Sequence, residues 1–182
     1  MQSAISGHDR LQEIKDFFDN TVSSKAFSDS IRKASELLFR KKAVIFAGLG
    51  SSDITSGYGA GYFSNLFGLS YRVENIQDYP VIKIPKEFAG DTCVLALSVT
   101  GETAEVITYI RNFSNANYSI IAITGNPHSK LASMADITIA YTIPFSFCGI
   151  NNMSTQIPAL YIIEKLGREV AKLQTNNSQP DL

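Results

Sequence analysis

Short apolar runs alternate along this chain with segments whose apolar residues recur at helical spacing. The predicted strands cover residues 43–47, 70–74, 93–97, 118–123 and 136–141. The first, third and fourth of these runs are nearly continuous in apolar residues rather than alternating with polar ones. That pattern favours strands that are buried on both faces, as in a parallel sheet.

Helical periodicity fills the intervals between these strands. An amphipathic helix is predicted from Ser24 to the basic run at residues 40–42, where cations favour the helix dipole. Further helices are predicted at residues 54–67, 102–113 and 129–134, and from Ser154 or Thr155 to about residue 173, with a short one around residues 11–18. The spacing in the segment 54–67 places on one helical face Ile54, Tyr58, Tyr62 and Leu66, and the interleaved glycines indicate close backbone approach.

The alternation of strands and helices, without an internal repeat, predicts an α/β domain whose parallel sheet is covered on both faces. With 182 residues, 45% of them hydrophobic, the chain is long enough for one well-buried domain. In such sheets, ligands bind outside the carboxyl ends of the strands, near the point where the strand order reverses. The turns that follow the strands are therefore where we expect a binding site.

Two of these turns are rich in hydroxyl groups. Residues 98–103 follow the strand 93–97 and precede a helix, and they contain Ser98, Thr100, Gly101 and Thr103. A second turn with Ser51 and Ser52 follows the strand 43–47. Hydroxyls and backbone N–H groups at the positive end of a helix favour a bound phosphate, although Ser and Thr also cap many helices without any ligand. Two such turns at one sheet edge favour phosphate binding.

Charge and composition exclude several classes of function. The net charge is −1 and the isoelectric point is near 6.1, so neither nucleic acid nor an anionic membrane is attracted in general. No apolar run approaches the roughly 20 residues that cross a bilayer, and the start lacks a signal peptide, which favours the cytoplasm. Two cysteines and two histidines far apart give no metal-ligand spacing, so no metal is expected.

A dinucleotide cofactor is a weaker interpretation of the first turn. Gly48 and Gly50 fit the start of a nucleotide-binding fingerprint, and Glu74 lies near the end of the next strand. Asp53 occupies the position of the third glycine, where its carboxylate would repel a pyrophosphate, and it is more simply a helix cap. No Walker-type loop follows either turn, so no cofactor is expected.

The pattern Ser-x-Thr-Gly-x-Thr-x-Glu at residues 98–105 resembles the phosphate loop of the SIS (sugar isomerase) family, which has Ser-x-Ser-Gly-x-Thr-x-Glu. Thr100 replaces the second serine and keeps its hydroxyl. Similar family signatures are Gly48-x-Gly50-x-Ser52 and the segment 123–136. The resemblance implies a three-layer αβα sandwich with a five-stranded parallel sheet of the doubly wound, flavodoxin-like kind, covering residues 24–173 as the SIS domain. Residues 1–23 would be an arm or linker, and 174–182 a disordered tail.

The resemblance also implies the ligand and its contacts. Ser98, Thr100 and Thr103 would bond the phosphate of a sugar phosphate around Gly101, while Gly50, Ser51 and Ser52 would face the ligand from the neighbouring turn. The family is usually paired with a second copy, so a homodimer is expected. Sugar isomerisation needs a base within reach of a carbon-bound hydrogen. Glu105 is the only carboxylate linked to the motif, and a structural role in the first helical turn is slightly favoured for it.

Residues 154–166 resemble the closing segment of SIS domains in RpiR-type transcriptional regulators, which sense phosphosugars. In those proteins a helix-turn-helix domain precedes the SIS domain, and this chain has no room for it, so DNA would be contacted only through a domain that is missing here. With no evident base, the sequence favours a non-catalytic sensor of carbohydrate metabolism. The alternative is an aldose–ketose isomerase of phosphosugars.

Overall fold

A computed structural model describes residues 9–74, 76, 85–114, 117–149 and 151–177 of the chain. Its centre is a five-stranded sheet in which every neighbouring pair is parallel. The strands are β1 (Ala43–Ala47), β2 (Leu69–Arg72), β3 (Thr92–Leu97), β4 (Ser119–Thr124) and β5 (Ile137–Ala140). All five predicted strands are present, each within two residues of its predicted ends.

Helices follow the strands in the predicted order. They are α1 (Arg10–Asp16), α2 (Lys25–Phe39), α3 (Ser51–Phe63), α4 (Ala104–Ser114), α5 (Lys130–Met134) and α6 (Ile157–Asn177). A π-helix, Phe17–Val22, joins α1 to α2, and a 3-10 helix, Lys86–Asp91, precedes β3. Ser24 caps α2 by accepting a hydrogen bond from the Phe27 N–H at 3.1 Å, as its place before the apolar pattern predicts.

The two faces of the sheet carry two separate apolar clusters. Side chains alternate along each central strand, so Phe46 and Leu95 point to one face while Ile45 and Val94 point to the other. The first cluster includes residues of α2, α3 and α6, and the second includes residues of α4 and α5. The arrangement is therefore a three-layer αβα sandwich, which confirms the predicted fold class.

The strand order is β2-β1-β3-β4-β5, the doubly wound order of flavodoxin-like folds. The chain leaves β1 toward one edge of the sheet and later crosses back to place β3 on the other side of β1. The order therefore reverses between β1 and β3. Their register sets Ala47 beside Ala96, so the turns that follow these two strands begin side by side.

The buried face of α3 differs from the predicted one. Ile54 is 70% exposed and Tyr58 is 43% exposed, whereas Tyr62 and Leu66 pack partly buried against the first cluster. The fully buried side of α3 consists of small residues together with Phe63. Gly59 approaches the ring of Phe46 so closely that a Cβ there would collide with it. The apolar periodicity of this segment was misleading because close packing selected small residues, as the glycines had indicated.

The ends of the chain add to the core. Phe17, in the segment predicted as an arm or linker, is completely buried and packs edge-on against Tyr141 and Tyr161. At the other end, α6 continues to Asn177, four residues beyond the predicted end of the last helix. Residues 1–8 and 178–182 lie outside the described part, and so do residues 75 and 77–84 between β2 and β3.

A two-stranded antiparallel hairpin, β6 (Phe147–Cys148) with β7 (Asn151–Asn152), lies between β5 and α6. Within the described residues, no three His, Cys, Asp or Glu side chains cluster as metal ligands would. No helix in that same part of the chain combines the length and the apolar character that crossing a membrane requires.

Candidate functional site

The candidate site lies where the strand order reverses, between the turns that follow β1 and β3. We call residues 48–52 the β1 turn and residues 98–103 the β3 turn. Each turn leads directly into a helix, α3 after the first and α4 after the second. The N-termini of both helices therefore lie at the carboxyl edge of the sheet, and the positive end of a helix stabilises an anion.

The β3 turn is held together by its own side chains. Ser98 is only 3% exposed, and its Oγ accepts a hydrogen bond from the Gly101 N–H at 3.0 Å. The same Oγ lies 2.9 Å from Thr103 Oγ1, and either hydroxyl could donate in that bond. Thr100 Oγ1 accepts from the Glu102 N–H at 3.2 Å. These bonds fix the backbone of the turn before any ligand arrives.

The hydroxyls of Ser98 and Thr103 leave one proton uncommitted between them. Each hydroxyl has a single proton, and only one of the two is used in the bond that joins them. The hydroxyl that does not donate in the shared bond keeps its proton, whichever way that bond points. A phosphate oxygen is an acceptor of the kind that such a proton binds.

Gly101 allows this turn to pack against α5. Its φ angle is +70°, in the region that favours glycine. A Cβ at this position would collide with Ser129 Oγ and lie 2.9 Å from Thr124 Oγ1. The Gly101 carbonyl accepts from the Leu131 N–H at 3.1 Å, and the Glu102 carboxylate accepts from the Lys130 N–H at 2.8 Å. The turn is thus anchored from behind.

The β1 turn is more open. Gly50 has a φ angle of +61°, and no atom lies within 4 Å of where its Cβ would be. Ser51 is exposed, whereas Ser52 is 5% exposed and its carbonyl accepts from Ser56 Oγ at 2.8 Å. Of the two serines predicted to face the ligand from this turn, Ser51 is therefore the accessible one.

Gln156 reaches the β1 turn from a distant part of the chain. It directly precedes α6, and its Nε2 donates to Ser51 Oγ at 3.1 Å. Its Oε1 accepts from Thr55 Oγ1 at 3.2 Å. Sequence reasoning did not assign Gln156 to the site. The only signal in the local sequence was a polar residue directly before an apolar helical pattern. Thr155, the residue before Gln156, accepts a hydrogen bond from the Ile157 N–H through its Oγ1 at the start of that helix.

Asp53 does not cap α3, contrary to its interpretation from the sequence. The residue at the N-cap position is Gly50, and Asp53 lies in the first turn of the helix. Its Oδ2 is 3.8 Å from an Arg72 guanidinium nitrogen, and that guanidinium also donates to Glu74 at 3.0 Å. Asp53 therefore places its negative charge beside Arg72, where β2 ends.

Among the residues that the structure describes, few ionisable groups near these turns are candidates for a base. Glu105 lies in the first turn of α4 and is half-buried. His128 is exposed. Glu164 accepts from Tyr58 Oη at 2.6 Å, and this bond raises the pKa of Tyr58. Burial raises the pKa of Cys93 far above its usual range, so this thiol stays protonated.

A parallel sheet with this strand order defines a doubly wound α/β protein, a fold whose ligands generally bind at the switch point where the two hydroxyl-lined turns lie here. The model of the SIS domain matches residues 37–161. Because the match covers more than half of the sequence, the chain belongs to the SIS family. The family predicted from the motif at residues 98–105 is thereby confirmed.

Two relatives differ in what they are named for. An HTH-type transcriptional regulator of Clostridium perfringens is 24% identical over 145 residues, which cover 79% of this chain and 51% of the regulator. The arabinose 5-phosphate isomerase KdsD of Pseudomonas aeruginosa is 32% identical over 73 residues, 40% of this chain and 22% of that enzyme. The chain therefore spans about half the length of the regulator and less of the isomerase.

A solved structure with the same fold is the NanR protein of Vibrio vulnificus, complexed with ManNAc-6P. It superposes with a TM-score of 0.74 at 16% identity, covering 91% of this chain and 62% of NanR. At that identity the likeness concerns the fold. The helices on both faces of the five-stranded sheet are common to the two proteins.

Proposed function

We propose that this chain binds a sugar phosphate between the β1 and β3 turns and serves as the effector-sensing part of a transcriptional regulator of carbohydrate metabolism. The phosphate would lie at the β3 turn, bonded by Ser98, Thr100 and Thr103 around Gly101. The sugar would extend toward Gly50, Ser51 and Ser52. No cofactor and no metal are part of the proposal.

The observation that carries the proposal is the pairing of the two turns at the switch point. Ser98 and Thr103 share one hydrogen bond and retain a proton for an anion. The accessible Ser51 lies on the neighbouring turn, at the start of a second helix. A phosphate oxygen accepts such bonds and gains from both helix dipoles.

A sensing role is favoured over catalysis by the scarcity of bases in the described part of the chain. Proton transfer between the first two carbons of a sugar requires a group within hydrogen-bond reach of the carbon-bound hydrogen. His128 is exposed on the loop after β4, and Glu164 is engaged by Tyr58. The similarity to a transcriptional regulator over 79% of the chain supports the same conclusion.

Phosphosugar isomerisation is the alternative function, and one observation favours it. The relative named as an arabinose 5-phosphate isomerase is 32% identical over the shared segment. In that case Glu105, on the first turn of α4, would be the motif-linked carboxylate to test as the base. Its replacement by Gln would then abolish turnover while leaving sugar-phosphate binding in place.

The proposal includes the assembly and its setting. A homodimer, residues 24–173 as the SIS domain, and a cytoplasmic location fit a regulator of this family. This segment would not contact DNA or a membrane, since its net charge is −1. DNA would be reached through a helix-turn-helix domain outside the sequence described here. Light scattering at micromolar concentration tests the dimer, and a monomer would contradict it.

A panel of sugar phosphates tests the function. ManNAc-6P, arabinose 5-phosphate and hexose 6-phosphates are added to the protein during thermal unfolding, with the unphosphorylated sugars as controls. A ligand at about 100 times its Kd should stabilise the fold by about 2.7 kcal/mol. For a domain of this size, that is a rise in Tm of roughly 5–10 °C. No shift with any sugar phosphate would contradict binding.

Turnover separates the two functions. The ligand that produces the largest shift is incubated with the protein, and the aldose and ketose forms are quantified by NMR. With a sensor, the aldose and ketose forms interconvert no faster than they do without protein. Appreciable interconversion that is lost on Glu105→Gln would establish the isomerase instead.

A further inference from the structure

The side chain of Gln156 joins two helices next to the candidate site. It spans 105 positions of sequence to reach Ser51 at the start of α3, with Nε2 at 3.1 Å from Ser51 Oγ. The buried Thr55, one turn further along α3, has a single hydroxyl proton, which is shared between Gln156 Oε1 at 3.2 Å and the Ser51 carbonyl at 3.0 Å. The amide is therefore held at both of its ends.

The direction of these bonds determines what Ser51 offers to a ligand. A serine hydroxyl has one proton and two lone pairs. Because Gln156 donates to Ser51, the bond occupies a lone pair and leaves the proton of Ser51 free to be donated elsewhere. An anion needs such a donor, and Ser51 is the exposed hydroxyl of the β1 turn.

We propose that Gln156 is a positioning residue, which orients the Ser51 hydroxyl as a hydrogen-bond donor toward a sugar phosphate held between the two turns. This inference rests on the proposed function, since it requires a ligand at that place. Gln156 acts through Ser51 and need not touch the ligand. Thr55 contributes by favouring the orientation in which Nε2 faces Ser51, since Oε1 accepts a share of the Thr55 proton.

The effect of replacing Gln156 follows from the rotational freedom of the Ser51 hydroxyl, which Gln156 restricts. Without the amide, the exposed hydroxyl of Ser51 rotates among several acceptors, and fixing it against a ligand then costs conformational entropy. Replacing Gln156 by leucine keeps most of the side-chain volume and removes both hydrogen bonds. We expect about a fivefold loss of affinity, in line with one lost neutral hydrogen bond.

A double-mutant cycle tests the coupling. Calorimetric titrations with ManNAc-6P, arabinose 5-phosphate and inorganic phosphate are made on wild type, Ser51→Ala, Gln156→Leu and the double variant. We expect Ser51→Ala to weaken sugar-phosphate binding by about tenfold, and the double variant to bind no more weakly than Ser51→Ala alone. Gln156 would then have no effect once Ser51 lacks its hydroxyl.

A matched control separates positioning from helix stability. Gln174, near the end of α6, donates from Nε2 to the Leu66 carbonyl at 2.8 Å, far along the helix from the two turns. Gln174→Leu should leave the affinity unchanged, and ligand-free thermal melts of both variants show how much each bond adds to stability. Equal loss of affinity in both leucine variants would overturn the proposal.

Other outcomes overturn the inference in distinguishable ways. Additive losses for Ser51→Ala and Gln156→Leu would mean that Gln156 acts independently of Ser51. A gain of affinity in Gln156→Leu would mean that Ser51 donates its proton to Gln156 Oε1 in the wild type, so that the substitution frees this proton for the ligand. If wild type binds but Ser51→Ala binds equally well, the proposed function stands and the role of Gln156 falls. If wild type binds none of the sugar phosphates, both fall.

Discussion

The β1 and β3 turns occupy equivalent places at the ends of neighbouring strands, yet they are held in different ways. The β3 turn is fixed by bonds among its own residues and by α5 behind it, with Ser98 at 3% exposure. The β1 turn has open space at Gly50 and an exposed Ser51, and its side-chain support comes from Gln156, beside α6.

The β3 turn is therefore preorganised, whereas the β1 turn depends on a residue beside α6, which is remote in sequence but in direct contact. A fixed cluster of donors binds an anion without reorganisation, which favours affinity. A turn supported from α6 can change its geometry when α6 shifts by a small amount. In the proposed sensor, the β3 turn would hold the phosphate while the β1 turn would be the half through which binding and helix position influence each other.

The sharpest test of the comparison replaces Gly101 and Gly50 by alanine. Both have positive φ, but a Cβ at Gly101 collides with Ser129, whereas a Cβ at Gly50 meets nothing within 4 Å. Backbone strain costs roughly 1–2 kcal/mol, and overpacking adds roughly 1–3 kcal/mol at Gly101 alone. We expect the free energy of unfolding in urea to fall by about 3 kcal/mol for Gly101→Ala and about 1 kcal/mol for Gly50→Ala.

The control for this pair is Gly61→Ala. Gly61 lies inside α3 with nothing within 4 Å of its Cβ position and without a positive φ. Alanine there should raise the free energy of unfolding by about 0.5–1 kcal/mol, since it favours the helix. Equal losses for Gly101→Ala and Gly50→Ala would show that the β3 turn is no more tightly packed than the β1 turn.

The next effect concerns the hydroxyls of the β3 turn. Ser98→Ala removes the Oγ that joins Gly101 and Thr103, which should lower the free energy of unfolding by about 1 kcal/mol. A hydrogen bond to a charged group contributes about 1.5–3 kcal/mol, so sugar-phosphate affinity should fall at least about tenfold in calorimetric titrations. Ser64→Ala, which removes a hydroxyl bonded to the Gly61 carbonyl at the far end of α3, should leave the affinity unchanged.

The smallest expected effect concerns the hydrogen bond between Tyr58 on α3 and Glu164 on α6. Tyr58→Phe removes the bond to Glu164, and since both groups are exposed the cost at neutral pH should be below about 1 kcal/mol. The bond raises the pKa of Tyr58 above its ordinary value of 10.0, so its contribution is full below that pH and is lost as the pH rises through the folded-state pKa. Urea unfolding of both proteins at pH 7 and about pH 11 should show the difference shrinking. A difference independent of pH would contradict this account.

Most of the fold follows from patterns that are local in sequence. The nearly continuous apolar runs at β1 and β3 mark strands buried on both faces, and the hydroxyls and glycine at residues 98–103 mark the turn between strand and helix. The buried face of α3 could not be predicted from apolar spacing. Gly59 lies so close to the ring of Phe46, on β1, that no larger residue fits there, and this contact is not visible in the local sequence. The β6–β7 hairpin has two residues per strand, too few for an alternating pattern.

The β3 turn was predictable from the sequence because all its hydroxyls lie within six residues. The support of the β1 turn was not, since Gln156 and Ser51 meet only after α6 packs against α3. The same holds for Glu164: its i,i+4 spacing from Arg168 predicts an ion pair within α6, whereas folding brings the Tyr58 hydroxyl to it. Contacts between distant segments depend on how helices pack on the sheet, and single residues do not reveal it.

The bonds from residues 101 and 102 to α5 also have a consequence for cooperativity. A helix of five residues has too few internal hydrogen bonds to persist by itself in water. The first amides of α5 instead donate to the Glu102 carboxylate and the Gly101 carbonyl. The helix and the turn therefore open and close together, as a single unit of local unfolding. The hydrogen-exchange rates of the Lys130 and Leu131 amides should therefore report how often the β3 turn opens, although that turn lies about 30 residues earlier in the sequence.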